Sequence, residues 1–593
     1  MTKTTTTAPN TGGGMWLFED TTSGSVFTPE RLSDEHKLID QTADEFVRNE
    51  ILPSHGQLET KDWKLARVLV NRAGELGLLG TDVPEQYGGV GLDKASTVLV
   101  GSRFGQSGSF GSTFGAHTGL AILPLHCFGS DTQKDKYLGR LVSGEWIGAY
   151  CLSESSSGSD ALGAKTRATR EPDGSFVLTG EKMWITNGGF ADLYIVFSQV
   201  DGEQFTAFLV ERNSPGLTIG REEHKMGLHG SSTTPIILQD VRVPSDNVLH
   251  HISKGHKVAF NTLNYGRFKL AVAASGNATA AIGEATKYAA ERQQFGQPIA
   301  TFGAIKHKLG EMTVRAYVVE SMIYRTTGLL DASLKGNEIA DAGPLRNILE
   351  ELSIECSILK VAGSEMLHYV LDENVQIHGG NGFVKDYPAE RQYRDSRVNR
   401  IFEGTNEINR LLIATTLVRR ALKGTLPLIS AAKRLEDEVT DPPTLVEASE
   451  VPLAEQRSTV LAFKKTSILV LGLSMMHYGD KLGEQQELLS CVADILIDTF
   501  GAESAVLRAD QAAIDAPQNQ LLQIDATCVF VNDAAGRIEA NARTALASMS
   551  DGDSLRLQLA ALRRLLRFSP INTVEKRRRL AETTVERGGY IFR

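Results

Sequence analysis

Cysteine is scarce in this sequence of 593 residues, and its five cysteines form no ligand pattern. They lie far apart and include no CxxC pair: Cys127, Cys151, Cys356, Cys491 and Cys528. Closely spaced cysteines are the usual sign of a disulfide framework or a zinc site. The sequence therefore predicts neither, offers no metal site, and favours a reducing compartment.

Long apolar runs and an excess of positive charge are also missing. The most apolar helical stretch, around 467–476, is shorter than a bilayer span, so no membrane-crossing helix is expected. The formal net charge of -10 has the wrong sign for a phosphate-rich partner, which argues against nucleic acid. The polar residues 1–28 lack the apolar core of a secretory signal and the arginines of a presequence. They predict a disordered tail on a cytoplasmic protein.

Hydrophobic periodicity divides the rest of the chain into alternating classes of structure. Apolar residues repeat at three- and four-residue steps in the helical parts, whereas short β-rich runs separated by Gly, Asn, Asp and Pro fill one central part. The predicted segments are a helical domain at 29–147, a β domain at 148–258, a helical domain at 259–426, an acidic linker at 427–456 and an additional helical domain at 457–593. Composition alone predicts a large, mostly helical protein and does not distinguish an enzyme from a scaffold.

Three segments carry residue types suited to a cofactor. The loop 150–168 combines hydroxyls with glycines that permit close backbone approach, and the run 181–189 offers an aromatic wall at Trp184 beside the hydroxyl of Thr186. In "ERQQFGQPI", the forked guanidinium of Arg292 is suited to a pyrophosphate. Taken alone, each segment has an ordinary explanation: a flexible loop, a core tryptophan and a solvated helix end.

A fourth segment, 375–412, contains a candidate general base. "HGGNGF" is a glycine-rich break after an amphipathic helix. In "RIFEGTNEI", Glu403 follows two apolar residues and precedes Gly404. Partial desolvation raises the pKa of a carboxyl group towards neutrality, and a glycine-permitted turn leaves it accessible to a substrate. An ordinary loop glutamate is the alternative, and the nearby His378 is more typical of a structural histidine.

Six strings in this order resemble motifs of the acyl-CoA dehydrogenase family: "VPEQYGGVGL", "SGSD", "KMWITN", "ERQQFG", "QIHGGNGF" and "RDSRVNRIFEGTNEI". The resemblance spans nearly all of 30–425. The chain length and the helical extension ending in "VERGGYIFR" are similar to the very-long-chain branch. The resemblance implies an α+β fold with an N-terminal α-helical domain, a middle β-barrel, a C-terminal four-helix domain and an additional C-terminal α-helical domain.

The resemblance also implies roles for individual residues, with FAD as cofactor and Glu403 as the catalytic base. It implies flavin contacts by Tyr150, Leu152, Ser153, Gly158, Ser159, Trp184 and Thr186. It implies contacts with the FAD of a neighbouring subunit by Arg292, Phe295, Gln376, Gly379, Gly380 and Gly382, and further cofactor contacts by Thr405 and Glu407. It implies substrate contacts by Ser159, Asn264, Arg267, Gly404, Gly115 and Gly119.

The implied reaction is oxidation of long-chain fatty acyl-CoA to trans-2-enoyl-CoA in β-oxidation, with electrons passing to an electron-transferring flavoprotein. Gly115 and Gly119 lie one helical turn apart, where missing side chains deepen an acyl channel or serve helix packing. A homodimer is expected. Because the linker is acidic, at most peripheral membrane contact is expected. An acyl-CoA oxidase and a non-enzymatic respiratory-complex assembly scaffold are the alternatives.

Overall fold

The computed structural model describes residues 12–440 and 451–592. The first domain consists of seven helices: α1 (Asp34–Phe46), α2 (His55–Glu59), α3 (Trp63–Glu75), α4 (Lys94–Phe104), α5 (Gly108–His117), α6 (Leu123–Phe128) and α7 (Asp131–Val142). Polar residues begin several of them: Ser33 and Ser130 form capping boxes, and the Asp93 carboxylate accepts a hydrogen bond from the backbone N–H of Ser96. These caps pair N–H groups that a helix start otherwise leaves unsatisfied.

The predicted disordered tail is wrong for residues 12–28. Short 3-10 turns form at Met15–Leu17 and Ser23–Ser25, and the Trp16 ring packs 5.0 Å from that of Phe500 in the C-terminal domain. The Gly14 N–H donates a 2.7 Å hydrogen bond to the Glu355 carboxylate. Burial of these apolar side chains offsets the entropy of ordering the segment. The rest of the predicted tail, residues 1–11, lies outside the described residues.

The middle domain is one eight-stranded sheet. Its strands are β1 (Gly148–Cys151), β2 (Arg167–Arg170), β3 (Phe176–Thr186), β4 (Leu193–Val200), β5 (Gln204–Glu211), β6 (Leu217–Ile219), β7 (Thr233–Val243) and β8 (Val248–Leu249). The order is β6-β7-β3-β2-β4-β5-β8, with β1 parallel to β4. The rings of Phe176 on β3 and Phe208 on β5 meet at 5.2 Å inside the sheet, which therefore curls around its own core as a barrel does.

A bundle of four long helices follows: α8 (Gly255–Glu291), α9 (Gly303–Leu334), α11 (Ser353–His378) and α13 (Asn406–Leu422). The shorter α10 (Gly343–Glu351) and α12 (Ala389–Ser396) connect them, and a hairpin of β9 (Gln293–Gln294) and β10 (Gln297–Pro298) follows α8. Helix α11 packs on α8, α9 and α13. Alanine and glycine occupy many buried positions of α8, which lets its neighbours approach closely.

The final helices are α14 (Leu428–Thr440), α15 (Ala454–Tyr478), α16 (Gln486–Asp515), α17 (Gln520–Met549), α18 (Gly552–Leu565) and α19 (Thr573–Arg587). Helices α16, α17 and α19 pack on α9, so this domain covers one face of the bundle. The predicted acidic linker is wrong for 428–440, which are helical, and for 454–456, which begin α15. Its part at 441–450 lies outside the described residues.

One segment of the described chain, Ala454–Glu484, is long and apolar enough to cross a membrane, with a mean hydropathy of 1.4. By length and composition, the expectation that no such segment exists was wrong. Sixty-seven per cent of its apolar window is buried inside the protein, and α15 packs against α16 and α17. Burial of this kind is typical of a core helix.

Candidate functional site

A cleft lies where α4 and α5 face α8 and the loop before α13, with an empty volume of about 970 Å³ that includes the open solvent at its mouth. Small residues dominate its helical walls, whereas two carboxyl groups reach it from Asp395 on α12 and from Glu403 in the segment between α12 and α13. Its lining includes Gly101, Gly105, Ser107, Gly108, Gly111, Phe114, Gly115, Gly119, Thr186, Leu228, Gly266, Lys269, Leu270, Ala273, Ala274, Asn277, Leu367, Asp395, Phe402 and Glu403. Four residues expected at the reaction centre or acyl channel thus share one cleft: Gly115, Gly119, Thr186 and Glu403.

Glu403 sits in a turn with a left-handed backbone: φ is 59° at Glu403 and 79° at Gly404. This conformation is uncommon for a residue with a side chain and marks a position held by its surroundings. The Glu403 Oε2 atom is buried without a hydrogen-bond partner among the described residues. It lies against Gly266, where an added Cβ would stand 2.7 Å from it. Gly266, which sequence reasoning missed, leaves the space that this carboxylate occupies.

The surroundings of Glu403 poise it for proton transfer. Burial raises the pKa of its carboxyl group from 4.5 to about 7, and the positive charges of Arg267 and Lys360 oppose that rise. A carboxyl group with such a pKa is ionised in a substantial fraction of molecules at neutral pH and is still basic enough to take a proton. The carboxylate of Asp395 differs from that of Glu403 in its hydrogen bonding, because it accepts a hydrogen bond from the backbone N–H of Leu228.

Arg267 and Asn264 lie behind the Glu403 turn and do not line the cleft. The Arg267 Nε atom donates to the Glu403 carbonyl oxygen at 3.1 Å, and its Nη1 atom donates to Asn264 Oδ1 at 2.9 Å. Asn409 Nδ2 also donates to the Gly404 carbonyl, at 2.9 Å. Arg267 therefore stabilises the Glu403 turn directly and Asn264 does so through Arg267, while the substrate contacts expected of both residues stay a prediction.

The two glycines expected in the acyl channel differ from each other. A Cβ added at Gly115 would meet nothing within 4 Å, whereas one at Gly119 would stand 3.3 Å from Lys269 Cδ. The stem of Lys269 fills the space opposite Gly119, and its Nζ donates to Thr118 Oγ1 at 2.6 Å. Gly115 therefore opens the cleft, while Gly119 makes room for a lysine that sequence reasoning missed.

Strand β3 turns Trp184 out of the barrel. Its pairing with β7 shifts register between Lys182 and Ile185, and Trp184 in this bulge has φ 59° and is 56% exposed. Bulges re-aim side chains in this way, and the alternative of a core tryptophan was wrong. Thr186, two residues on, lines the cleft. An exposed indole and a hydroxyl thus flank the same strand end.

The loop after β1 exposes small residues to solvent and is held from beneath by a buried side chain. Tyr150 and Leu152 pack inward, whereas Gly158 and Ser159 are exposed. Beneath the loop, the Glu154 carboxylate accepts hydrogen bonds from Lys182 Nζ and Thr166 Oγ1, each at 2.6 Å. Glu154 is this buried side chain, which sequence reasoning missed.

A second group of expected cofactor residues lies at the far end of α8. Arg292 ends this helix, and Phe295 at the hairpin tip is 91% exposed. Asn381 Nδ2 donates to the Tyr288 hydroxyl at 3.0 Å, which joins the "HGGNGF" turn to the same end. Around this turn Gln376, Gly379 and Gly380 are exposed, whereas Gly382 is buried. A Cβ at Gly382 would stand 2.4 Å from the Val375 carbonyl oxygen, so its role here is close packing.

Thr405 and Glu407 stand at the start of α13. The Thr405 hydroxyl caps this helix by accepting from the Ile408 N–H at 3.3 Å, and Glu407 is exposed in its first turn. These positions fit a flat, phosphate-bearing cofactor as far as shape and chemistry go. Exposed rings at Trp184 and Phe295 supply stacking surfaces, and the glycines 158, 379 and 380 have open space where a side chain would stand.

Comparisons with known proteins agree with this architecture. The chain matches the family descriptions "Acyl-CoA dehydrogenase, N-terminal domain" over residues 33–145, "middle domain" over 149–241, and "C-terminal domain" twice, over 253–418 and 462–564. It is similar to a probable acyl-CoA dehydrogenase of Bacillus subtilis (strain 168), with 46% identity over 98% of both chains.

Two further relatives are informative. A crystal structure of an acyl-CoA dehydrogenase from Bacillus anthracis, complexed with FAD, is 45% identical and matches with a TM-score of 0.95 over 98% of this chain and 100% of that one. The mitochondrial very long-chain specific acyl-CoA dehydrogenase of Bos taurus is 36% identical over 80% of this chain and 74% of its own. The match therefore includes the C-terminal helical region.

Proposed function

This chain belongs to the acyl-CoA dehydrogenase family, whose members are FAD-dependent oxidoreductases, and on that premise we propose that it oxidises long-chain fatty acyl-CoA to trans-2-enoyl-CoA with Glu403 as the base. One observation carries the assignment of the base. Glu403 presents a carboxylate oxygen without a hydrogen-bond partner among the described residues, at the wall of a cleft, with its pKa raised to about 7.

The reaction requires removal of a proton next to the thioester carbonyl. Glu403 Oε2 accepts that proton, and the neutral carboxylic acid that results is the form that its buried surroundings favour. When bound, FAD supplies the acceptor for the hydride that leaves the β-carbon. Gly266 keeps the carboxylate in place from one side, and the hydrogen bond of Arg267 to the Glu403 carbonyl fixes the turn from the other.

Negative charge develops on the thioester oxygen as the proton leaves. The backbone N–H of Glu403 makes no hydrogen bond within the described part of the chain, and the left-handed turn separates it from the preceding helical carbonyls. We infer that this N–H donates to the thioester oxygen. A preorganised donor in a desolvated cleft stabilises such charge far better than water does.

The shape of the cleft supports a long acyl tail. Along α8 the lining runs from Gly266, beside Glu403, to Asn277, which is about 16 Å at the rise of an α-helix. Gly115 adds open space on the opposite wall. A short-chain substrate would leave most of this apolar lining without contact.

The family pattern also supports a homodimer and transfer of electrons to an electron-transferring flavoprotein. Tyr288, which marks the second cofactor group, lies about 33 Å beyond Gly266 along α8. That separation, with Phe295 91% and Phe383 86% exposed, favours completion of each FAD site by a second copy. A cytoplasmic location with at most peripheral membrane contact stays a prediction.

The test is anaerobic addition of palmitoyl-CoA to the purified holoprotein and to Glu403→Gln. We expect the flavin absorbance of the wild type to bleach and that of the variant to persist, with a rate loss of about 10² to 10⁴-fold for a missing general base. Substitution of the exposed Glu350 by Gln is the matched control. Equal bleaching in wild type and Glu403→Gln would move the base elsewhere.

Two other outcomes separate the alternatives. Rapid oxygen uptake with acyl-CoA, without any need for an added flavoprotein, would assign the chain to the oxidases. Absence of flavin from the purified protein, together with no reaction, would favour a scaffold.

A further inference from the structure

The part of the cleft that lies far from Glu403 contains two oxygen atoms for which the described residues offer no hydrogen bond. Asn277 Oδ1 and Ser107 Oγ have no hydrogen-bond partner among the described residues. Both residues line the cleft, and they are 7% and 1% exposed. A buried polar atom left unpaired destabilises a protein, so most such atoms in native structures have a partner.

These two residues lie at the same end of the cleft. Asn277 is about 16 Å along α8 from the glycine that touches Glu403. The end of α4 meets α8 one turn earlier, because a Cβ added at Gly105 would stand 2.3 Å from the Ala273 carbonyl oxygen. Ser107 follows Gly105 by two residues. The neighbouring lining from α8 is apolar, at Leu270, Ala273 and Ala274, so the polar end contrasts with its approach.

An unsubstituted alkyl tail is a poor fit for this end. It would leave Asn277 Oδ1 and Ser107 Oγ, which are already buried, without a hydrogen bond. A hydroxyl group on the tail offers one of each kind, because it donates to the Asn277 carbonyl oxygen and accepts from the Ser107 hydroxyl. Neither side chain carries a charge, which favours a neutral hydroxyl over a carboxylate.

We propose that the preferred substrates are acyl-CoA thioesters whose tail carries a hydroxyl group in its distal half, recognised by Asn277 and Ser107. This proposal rests on the proposed function, since it assigns the acyl tail to this cleft. The bonds that change in the reaction stay at the α- and β-carbons next to Glu403, and the hydroxyl takes no part in the chemistry.

The primary test needs only the wild-type holoprotein. The value of kcat/KM is measured for palmitoyl-CoA and for a series of hydroxypalmitoyl-CoA isomers in which the hydroxyl moves stepwise through the distal half. We expect one or two isomers to exceed palmitoyl-CoA by about tenfold, the effect of one satisfied buried hydrogen bond. No advantage at any position would overturn the proposal.

Variants then identify the residues. Asn277→Leu and Ser107→Ala should each bring kcat/KM for the best isomer down to the value that the same variant shows with palmitoyl-CoA. Ser275→Ala is the matched control, because the Ser275 hydroxyl on the same helix is also buried and unpaired but does not line the cleft. An advantage that survives in both cleft variants would overturn the assignment. Failure of palmitoyl-CoA and of every isomer to reduce the flavin would instead overturn the proposed function, and this inference with it.

Discussion

The turn that carries Glu403 and the C-terminal domain both bury charge, and they do so in opposite ways. Glu403 Oε2 has no hydrogen-bond partner among the described residues. Arg508 on α16 is only 1% exposed, but its guanidinium donates to Glu30 at 2.8 Å, to Glu320 at 3.0 Å and to the Phe592 carbonyl at 3.3 Å. It also lies 4.7 Å from the centre of the Tyr317 ring.

The difference separates assembly from chemistry. Arg508 joins the N-terminal segment, α9 and the C-terminus through a network in which each bond fixes a geometry. A charge satisfied in this way has its pKa displaced far from neutrality: the pKa of Arg508 is raised well above its usual value. The Glu403 carboxyl group has no such partners and titrates near pH 7, as proton transfer requires.

The largest effect on stability is expected at the paired site. Arg508→Ala removes the positive charge that compensates the buried Glu30 and Glu320 carboxylates, which should lower the free energy of unfolding by about 3–5 kcal/mol. Chemical denaturation monitored by circular dichroism measures this. Arg556→Ala, which removes an exposed ion pair with Asp553, should change it by less than about 1 kcal/mol. Equal effects of the two substitutions would contradict the comparison.

At Glu403, the unpaired site, removal of the charge is expected to raise the free energy of unfolding rather than lower it. The unfolded chain loses the Glu403 proton near pH 4.5 and the native state only near 7, so between these values the native state holds the extra proton and stability falls as pH rises. Glu403→Gln removes that effect. We expect its stability advantage over the wild type to grow between pH 4.5 and 7, up to roughly 3 kcal/mol, and then to stay level. A destabilised variant at pH 8 would refute this.

A smaller, selective effect is expected from the two cleft glycines. The side chain of Gly115→Leu should extend into space that is open in the free protein and that a long acyl tail would fill. We expect kcat/KM for palmitoyl-CoA to fall by about tenfold or more, since overfilling the cleft once the tail is bound costs about 1–3 kcal/mol. Octanoyl-CoA should be affected much less. Gly119→Ala should move the flexible Lys269 stem slightly and leave the ratio of the two substrates near its wild-type value. If Gly119→Ala changed the ratio of the two substrates more than Gly115→Leu did, the channel would run along the Gly119 side.

Sequence reasoning reached the fold and singled out Glu403, which lines the cleft, because both depend on local strings. Periodicity separated the helical and β parts, and the "RIFEGTNEI" string placed Glu403 in a turn. It failed at the N-terminus, where a polar composition suggested disorder but Trp16 and Leu17 are buried against distant helices. It also treated 428–440 as linker because prolines and acidic residues follow closely.

Contacts between distant segments account for the other differences. Gly266, Lys269 and Glu154 gain their roles from Glu403, Gly119 and Lys182, and no local pattern marks those pairs. Arg267 was expected to bind substrate because it matches an arginine that the family places near the CoA moiety. Only the three-dimensional arrangement shows that its guanidinium is used by Asn264 and the Glu403 carbonyl.

The smallest effect concerns the charges behind the catalytic turn. Lys360 is buried and donates to Asn406 Oδ1 at 2.6 Å, and its positive charge lowers the pKa of Glu403. Burial lowers the pKa of Lys360 itself to about 7, so this charge is partial at neutrality and its influence is limited.

In the wild type, the rate of flavin reduction should rise with pH up to about 7 and then level off, because the ionised carboxylate is the active form. Lys360→Met should move this limb to higher pH by less than about one unit, whereas Lys360→Arg, whose guanidinium stays charged, should not move it to higher pH. A limb that moves equally in both variants would mean that packing around Lys360, rather than its charge, controls the base.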